Sequence, residues 1–344
     1  MGEALRAVRE RAPGLPIAIV TSGPESLYRQ AIPGPIGVRS LACDVGLAQR
    51  DALTIDEGAT VERCRAFAAG WDALVALEAE WLRSAGARVV LGDIPPLAFA
   101  AAAAAGVPSL ALANFSWDWI YRHLAPRQPA LASAAAAAAT AYGRAGLLLE
   151  LPFAGDLRSF PRRERIPLVA RRPSVGRDEA RRLLGLDGRP AILLSFGGLG
   201  LPGFSPAVLA GLGELVFLTS DEVAGAPGNV RGVPAALLAE LGLRYVDLVG
   251  AADVVVTKPG YGIVTDAIGA RTRLVYTERG DFPEYPILVR EMAQCLPCVH
   301  VSNEDLLGGR IATPIRRALD LPMPPPPDLG GAGRVAERLL EVAG

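Results

Sequence analysis

Three segments in the second half of the sequence place glycine beside charged or hydroxyl side chains, directly after apolar runs that are typical of buried strands. They are residues 195–200, 258–262 and 277–285. In open α/β sheets, ligands bind beyond the carboxyl ends of the strands. We therefore expect binding chemistry at these three segments, and their composition favours an anion that carries hydroxyl groups.

The first segment follows the apolar run 191–194 and contains Ser195, Gly197 and Gly198. Because glycine has no Cβ, the backbone N–H groups around it can approach an anion closely, so the segment is consistent with a phosphate site. Glycine turns after strands are also common, and an ordinary turn is the alternative.

The second segment contains Lys258, Gly260, Tyr261 and Gly262 and leads into a predicted helix that carries Asp266. The first N–H groups of a helix lack partners within it and attract negative charge, so this turn predicts a diphosphate site. Lys258, the only lysine of the chain, adds a compact positive charge. We predict that Asp266 accepts hydrogen bonds from ribose hydroxyls; the alternative is a solvated acid that stabilises the helix dipole.

The third segment follows the predicted strand 273–276 and contains Gly280, Asp281 and Glu284. Its carboxylates stand where sugar hydroxyls need hydrogen-bond acceptors. A charged loop that faces solvent is the alternative for this segment taken alone. Three such segments, all at the carboxyl ends of strands in one half of the chain, favour a shared site.

Strands and helices must alternate to position these segments, and the sequence shows that alternation. Short apolar runs separated by helix-length segments predict βαβ units and doubly wound parallel sheets. We predict two Rossmann-like α/β domains that face each other across a cleft, over residues 1–165 and 166–325, with a C-terminal helix in 326–344 that packs back on the first domain. The predicted strands are 15–21, 88–92, 107–111, 147–150, 191–195, 215–219, 253–257 and 273–276.

One long helix is predicted over residues 60–84. Trp71, Leu74, Leu77 and Trp81 recur there at helical spacing, and such a stripe is typical of a core-facing helix surface. The chain opens on a helical pattern, residues 1–11, although a doubly wound domain normally opens on a strand. A first strand and its loop are expected to be missing from the first domain; either the fold tolerates this, or the start codon lies inside a longer reading frame.

Composition excludes several classes of protein. The chain has 344 residues, 51% of them hydrophobic and 21% charged, with a net charge of −1. It can bury a large core, and it has no basic block that could follow a nucleic-acid backbone, so nucleic acid is not an expected partner. No segment predicts an integral membrane span, and four cysteines without a disulfide pattern favour a cytoplasmic location.

A possible metal or redox spacing, Cys295 and Cys298 followed by His300, has no second pair of ligands nearby to complete a tetrahedral site. We interpret the two cysteines as buried and inert, and His300 as a structural residue. No metal and no other cofactor is predicted.

Residues 246–292, with the Lys258 turn and the Asp281 loop, resemble the donor-binding half of GT-B glycosyltransferases. The resemblance is strongest to the family 28 group, which includes the UDP-N-acetylglucosamine transferase of peptidoglycan synthesis. In that group an acid on the helix, six residues after the turn glycine, holds the ribose, and Gly260 and Asp266 have this spacing. Pro283 and Glu284 stand where the family has a glutamine pair that contacts the sugar.

Segments of the first half, residues 43–46, 92–96 and 114–118, resemble the glycosyltransferase-like region ahead of the kinase in plant arabinokinases. Together the resemblances imply an inverting, metal-independent glycosyltransferase. They imply a nucleotide-sugar donor, with UDP as the expected nucleotide, and a small-molecule or lipid-linked acceptor. Proteins of this family begin with a strand and a glycine- and histidine-rich loop, which would account for the helical opening.

An inverting transfer needs a base that deprotonates the acceptor hydroxyl. Our first candidate is Asp93, which follows the predicted strand 88–92; the alternative is a helix cap. Asp118 and His123 are further candidates, for which a structural role is the favoured alternative, and Asp44 is a more distant candidate. Two other functions remain open: a UDP-sugar 2-epimerase on the same fold, and a nucleotide-sugar-binding module without turnover.

Overall fold

The chain divides into two compact units in a computed structural model that describes residues 1–51, 54–197 and 203–344. The first unit comprises Met1–Ala48, Ile55–Val169 and Asp328–Gly344, and the second comprises Gln49–Thr54 and Ala170–Pro327. Within the described residues, no helix combines the length and the apolar composition needed to cross a membrane.

The first unit is an α/β layer structure whose parallel strands form two separate sheets. One has the order β1-β2 and the other β3-β4-β5-β6. Its strands are β1 (Ala18–Thr21), β2 (Gly37–Ser40), β3 (Val90–Gly92), β4 (Ser109–Ala113), β5 (Leu147–Glu150) and β6 (Arg163–Arg165). Its helices are α1 (Gly2–Arg11), α2 (Glu25–Ala31), α3 (Glu57–Ala69), α4 (Trp71–Ser84), α5 (Pro96–Ala105), α6 (Trp117–Leu124), α7 (Leu131–Tyr142) and α15 (Gly331–Ala343).

The second unit has one parallel sheet of six strands, in the order β12-β11-β10-β7-β8-β9. Its strands are β7 (Ala191–Ser195), β8 (Val216–Thr219), β9 (Val230–Gly232), β10 (Val254–Thr257), β11 (Arg273–Tyr276) and β12 (Cys298–His300). Its helices are α8 (Arg177–Leu183), a 3₁₀ turn (Pro206–Leu209), α9 (Ala235–Glu240), α10 (Tyr245–Ala251), α11 (Tyr261–Ala270), α12 (Glu284–Met292), α13 (Asn303–Leu307) and α14 (Ala312–Asp320).

All eight predicted strands are present, and the mixed α/β class with parallel sheets is confirmed. Central strands such as β4, β7 and β10 are buried along their whole length, which is why they read as continuous apolar runs. The sequence analysis missed β2, β6, β9 and β12, four short strands that each lie at the edge of a sheet.

The prediction of one helix over residues 60–84 is wrong in one respect. The segment forms two helices, α3 and α4, that meet at Gly70, a residue of low helix propensity. Leu77 is 53% exposed, so it does not belong to the core as the helical spacing suggested. Trp71 and Trp81 are half-buried.

Helix α15 returns to the first unit, where Leu339 and Ala336 pack against Ala7 and Val8 of α1. Its first residue, Gly331, allows the helix to approach the backbone of residues 167–168 closely. An added Cβ at Gly331 would lie 2.1 Å from the carbonyl oxygen of Pro167. This contact fixes where the C-terminal segment joins the first unit.

Gly331→Ala is therefore expected to lower the free energy of unfolding of the first unit by about 1–3 kcal/mol, the typical cost of forced overpacking. The matched control is Gly333→Ala in the same helix, where the nearest atom is the flexible guanidinium of Arg11 at 3.0 Å. That control should be neutral or slightly stabilising. Urea unfolding followed by circular dichroism measures both, and equal stability of the two variants would contradict the role of Gly331.

Candidate functional site

Three neighbouring strands of the second unit end at the same level of the sheet. Thr257, the last residue of β10, pairs with Ser195 at the end of β7 and with Tyr276 at the end of β11. The three segments singled out in the sequence follow these strands. The sheet therefore brings their first residues side by side along one edge.

Hydroxyl groups connect the strand ends at this edge. The Thr257 hydroxyl donates to the Ser195 carbonyl oxygen at 2.5 Å, and the Ser195 and Tyr245 hydroxyls share a hydrogen bond of 2.6 Å. Ser195 is thus buried and engaged within the protein. Gly197 follows with a φ of +73°, a left-handed conformation that favours glycine, and open space where a Cβ would stand. Gly198 lies outside the described residues.

Helix α11 begins directly after β10 and its following turn. Gly260 is its N-cap residue and provides no side-chain cap, and Tyr261 and Gly262 form its first turn. An added Cβ at Gly262 would meet no atom within 4 Å. The open space at Gly262 leaves room beside the first turn of this ten-residue helix, where helix N–H groups attract negative charge.

Two cationic side chains lie close together beside this N-terminus. Burial lowers the pKa of Lys258, the positive charge of Arg279 lowers it further, and Asp51 opposes both effects. Arg279 donates to the carbonyl oxygen of Pro259 at 3.3 Å, so its guanidinium lies against the turn that begins α11. Like charges in a half-buried position repel each other, and an anion placed between them would relieve that repulsion.

Glu284 holds Arg279 in this position. Arg279 donates to Glu284 at 2.7 Å, and its guanidinium carbon lies 4.1 Å from the centroid of the Phe282 ring. Glu284 is only 2% exposed, so the prediction that it contacts the sugar directly needs correction: its carboxylate is turned inward to an arginine. Gly280 (φ +66°) and the exposed Asp281 form the loop between Arg279 and α12.

Asp266 also binds an arginine. Both of its carboxylate oxygens accept hydrogen bonds from Arg171, one of them at 2.8 Å from Nε, and Asp266 is 2% exposed. Burial raises the pKa of Asp266, and Arg171 partly opposes that shift. The prediction that Asp266 contacts the ribose therefore needs the same correction as that for Glu284. The buried Asp266 carboxylate orients Arg171, whose side chain is 46% exposed.

The edge of the second unit therefore combines an open helix N-terminus, one ammonium and buried acids that orient arginines. Backbone N–H groups and guanidinium groups suit the oxygens of a phosphate or diphosphate. Such a group would bring negative charge to Lys258, whereas Arg279 is already paired with Glu284. The geometry supports anion binding more directly than it supports hydroxyl recognition by carboxylates.

In the first unit, Asp93 follows β3 and is exposed. The next residue, Ile94, has a φ of +59°, a rare conformation for a β-branched side chain. The hydroxyl of the buried Tyr142 donates to the Ile94 carbonyl oxygen at 2.7 Å and holds the turn. Backbone strain of this kind concentrates at functional sites, which favours Asp93 as a candidate site residue.

Asp44 lies near Asp93. Trp117 donates its indole N–H to Asp44 at 2.8 Å, and the backbone N–H of Trp117 donates to the Tyr142 hydroxyl. Burial raises the pKa of Asp44, the Trp117 hydrogen bond opposes the shift, and the negative charge of Asp93 adds to it. The neighbouring Cys43 thiol has its pKa raised to about 11, mainly by burial, so it is no nucleophile near neutral pH.

Asp118 and His123 occupy different environments. Asp118 is fully buried, and one of its oxygens accepts hydrogen bonds from Ser159 at 2.6 Å and from Arg122. A carboxylate without solvent access cannot take a proton from a substrate, so its candidacy as the base is wrong. His123 is half-buried in the last turn of α6.

The cysteine pair shows no activated thiol. Burial raises the pKa of Cys295, and burial with the neighbouring Cys295 raises the pKa of Cys298 to about 12. His300 lies 3.1 Å from Glu278 and edge-on to Tyr276. Among the described residues, no cluster of three or more histidine, cysteine or acidic side chains could hold a metal ion.

The sequence analysis missed Arg171, Tyr245 and Arg279. Arg279 lies inside the third segment, whose sequence pattern points to Gly280, Asp281 and Glu284 as ligand contacts. A buried acid that follows a strand needs a cationic partner, and this rule could have identified Arg279. Arg171 and Tyr245 are distant in sequence from their partners, so no local pattern marks them.

The burial of Asp44 predicts that the free energy of unfolding depends on pH. Its pKa in the folded state is raised above the unfolded value, so ionisation opposes folding, and wild-type stability is recovered as the pH falls through the folded-state pKa. Asp44→Asn keeps an oxygen for Trp117 and should raise the free energy of unfolding at neutral pH. The advantage should shrink on acidification. Urea unfolding across pH measures it, with the exposed Asp72→Asn as control; a destabilised Asp44→Asn protein at neutral pH would refute this account.

Comparison with known proteins gives a relative over most of the chain, although no family model matches the sequence. L-arabinokinase of Arabidopsis thaliana is 30% identical over 315 residues, which are 90% of this chain and 30% of that protein. The chain thus spans less than a third of the length of this relative.

Solved glycosyltransferase structures resemble both units. The glycosyltransferase of kitacinnamycin is 16% identical with a TM-score of 0.60, covering 99% of this chain and 90% of that chain. Arabidopsis thaliana UGT89C1 complexed with UDP is 15% identical with a TM-score of 0.58, covering 98% and 90%. Acinetobacter baumannii MurG is 14% identical with a TM-score of 0.54, covering 98% and 95%. The predicted resemblance is confirmed, and the chain has the GT-B glycosyltransferase fold.

Proposed function

We propose that this chain is an inverting glycosyltransferase that takes its sugar from a nucleoside diphosphate donor, with UDP as the nucleotide. The observation that carries the proposal is the position of two cations at the turn that begins α11: Lys258 belongs to this turn, and Arg279 donates to the Pro259 carbonyl oxygen at 3.3 Å. Solved structures of the same fold include a glycosyltransferase complexed with UDP. A diphosphate at this edge would receive N–H groups and positive charge from two adjacent turns.

The same groups serve as the leaving-group site of a transfer. When the bond between the sugar carbon and the diphosphate oxygen breaks, the electron pair stays on that oxygen, and negative charge develops there. Fixed cations and helix N–H groups stabilise that charge more than they stabilise the ground state. The chemistry therefore proceeds without a metal ion in this proposal.

Asp93 is proposed as the base that accepts the proton of the acceptor hydroxyl. It is exposed, it lies at the carboxyl end of β3, and a strained turn held by Tyr142 fixes its position. Asp44 lies close enough to Asp93 for the negative charge of Asp93 to contribute to the raised pKa of the Asp44 carboxyl. Attack by the deprotonated hydroxyl from the face opposite the diphosphate inverts the sugar carbon. The acceptor is proposed to be a small or lipid-linked alcohol.

Lys258→Met and Arg279→Ala are each expected to weaken UDP binding by about tenfold or more, because a hydrogen bond to a charged group contributes about 1.5–3 kcal/mol. Isothermal titration calorimetry measures the affinity. Lys258→Met removes one of two repelling cations and should not lower the melting temperature. Arg279→Ala leaves the buried Glu284 without its arginine and should lower it, so the Arg279→Ala affinity is measured well below that variant's melting temperature.

Arg290→Ala is the matched control for these variants, because Arg290 is exposed on α12 and pairs with Glu291. It should bind UDP as the wild-type chain does. Unchanged affinity in both Lys258→Met and Arg279→Ala would remove this edge from the donor site.

Asp93→Asn is expected to reduce sugar transfer by about 10²–10⁴-fold, the usual contribution of a general base, and to leave UDP affinity unchanged. Donor consumption across a panel of nucleotide sugars measures the rate, with the exposed Asp178→Asn as control. Full activity of the Asp93→Asn protein would exclude Asp93 as the base. A wild-type chain that binds UDP but turns over no donor would favour the binding-module function instead.

A further inference from the structure

A second group of polar side chains lies at the carboxyl ends of β11 and β12, next to the candidate donor site, and the function proposed above does not use it. Tyr276 and His300, the last residues of these two strands, pair in register. Glu278 follows β11 by two residues, and its Oε1 lies 3.1 Å from Nε2 of His300. The sequence indicated only a structural role for His300, and this contact shows which segment it supports.

Both oxygens of the Glu278 carboxylate have partners on neighbouring elements. Oε2 accepts hydrogen bonds from the backbone N–H of Asn303 at 2.6 Å and from the Thr277 hydroxyl at 3.0 Å. Oε1 faces His300. Asn303 begins α13 and His300 ends β12, so one side chain ties the segment that follows β11 to both elements.

These contacts favour the charged form of Glu278. Burial raises the pKa of its carboxyl group, but hydrogen bonds from backbone N–H groups and from Thr277, together with the charge of His300, outweigh burial and leave the pKa below its ordinary value. A charged acceptor makes stronger hydrogen bonds than a neutral one. Glu278 is therefore an ionised anchor at neutral pH.

The side chains of Glu278 and Arg279 reach in opposite directions from the end of β11. In the sheet, β12 and β10 flank β11 on opposite sides. Glu278 contacts the end of β12, whereas Arg279 donates to the carbonyl oxygen of Pro259 in the turn after β10. The Glu278 contacts therefore fix the backbone from which Arg279 extends towards the start of α11.

The residues on the C-terminal side of Arg279 hold only its guanidinium group. Glu284 accepts a hydrogen bond from it at 2.7 Å, and the centroid of the Phe282 ring lies 4.1 Å from its central carbon. Gly280, with a φ of +66°, separates Arg279 from both of these residues. Glycine gives the backbone more conformational freedom than other residues, so the backbone position of Arg279 depends on the anchor that precedes it.

We propose that Glu278, supported by His300, is a positioning residue for donor binding, which holds Arg279 where its guanidinium group reaches the diphosphate. This inference rests on the proposed function, in which Arg279 binds the diphosphate. Neither Glu278 nor His300 touches the donor in this role. A cation that is fixed in advance binds an anion more tightly than a mobile one, because less conformational freedom is lost on binding.

A double-mutant cycle on UDP affinity tests this role. Glu278→Ala is introduced into the wild-type chain and into the Arg279→Ala chain, and isothermal titration calorimetry measures UDP binding well below the melting temperature of each protein. UDP carries no sugar, so a contact between Glu278 and a donor sugar cannot contribute. The matched control is Glu304→Ala, which breaks an exposed ion pair with Arg310 and lies on the neighbouring α13.

Glu278→Ala is expected to weaken UDP binding by about threefold or more in the wild-type chain and by less than about twofold in the Arg279→Ala chain. Glu278→Gln keeps an oxygen for the Asn303 N–H and should restore part of the loss. Glu304→Ala should bind UDP as the wild-type chain does. A general loosening of the second unit would instead weaken binding equally in both backgrounds.

Equal losses in the two backgrounds would overturn the proposal, because Glu278 would then act independently of Arg279. Wild-type affinity of the Glu278→Ala protein, with weakened binding by Arg279→Ala, would also overturn it and would leave the proposed donor site intact. Wild-type affinity of the Arg279→Ala protein would contradict the donor role of Arg279 and would remove the positioning role with it.

The contribution of His300 is measured in the same cycle. His300→Ala should give a smaller loss of UDP affinity than Glu278→Ala, because Glu278 keeps its hydrogen bonds from Asn303 and Thr277. That loss should also disappear in the Arg279→Ala chain. Wild-type affinity of the His300→Ala protein would overturn the supporting role of His300.

Discussion

In-register pairing of parallel strands is the constraint on which the candidate donor site depends. Thr257 pairs with both Ser195 and Tyr276, so three chain segments far apart in sequence leave the sheet at one level. No side-chain contact is needed to bring them together, because the hydrogen-bond ladder does it. The Thr257 hydroxyl then connects the ends of β7 and β10. A shift of one residue in β10 would turn its side chains to the opposite face and separate these groups.

Charge pairing decides which side chains at this edge can face a ligand. Asp266 and Glu284 are acids that sequence reasoning assigned to hydroxyl recognition, yet both are 2% exposed and bonded to arginines. Removing one partner of a buried ion pair leaves an uncompensated charge, which costs about 3–5 kcal/mol. These acids therefore stabilise the fold through their arginines and do not face a ligand. Their arginines become fixed in orientation, and the charge presented near α11 is positive.

Burial explains which strands and which site residues could be predicted from the sequence. Every strand that is flanked on both sides was identified, because burial on two faces demands a continuous apolar run. The strands that were missed, such as Arg163–Arg165 and Gly37–Ser40, lie at sheet edges, where one side needs no apolar partner and charges are tolerated. The positions of the site segments followed from strand order alone. The partners Arg171 and Tyr245 did not, because long-range ion pairs and hydrogen bonds have no local sequence pattern.

The two units differ in how firmly strand pairing fixes the positions of their candidate site residues. The second unit has one continuous sheet, so its strand ends are fixed by pairing on both sides. In the first unit, Asp93 follows a three-residue strand that pairs on one side, and the Tyr142 hydrogen bond to Ile94 carries much of the positioning. Catalytic groups need positions fixed to within about 0.5 Å, which a one-sided strand end provides poorly.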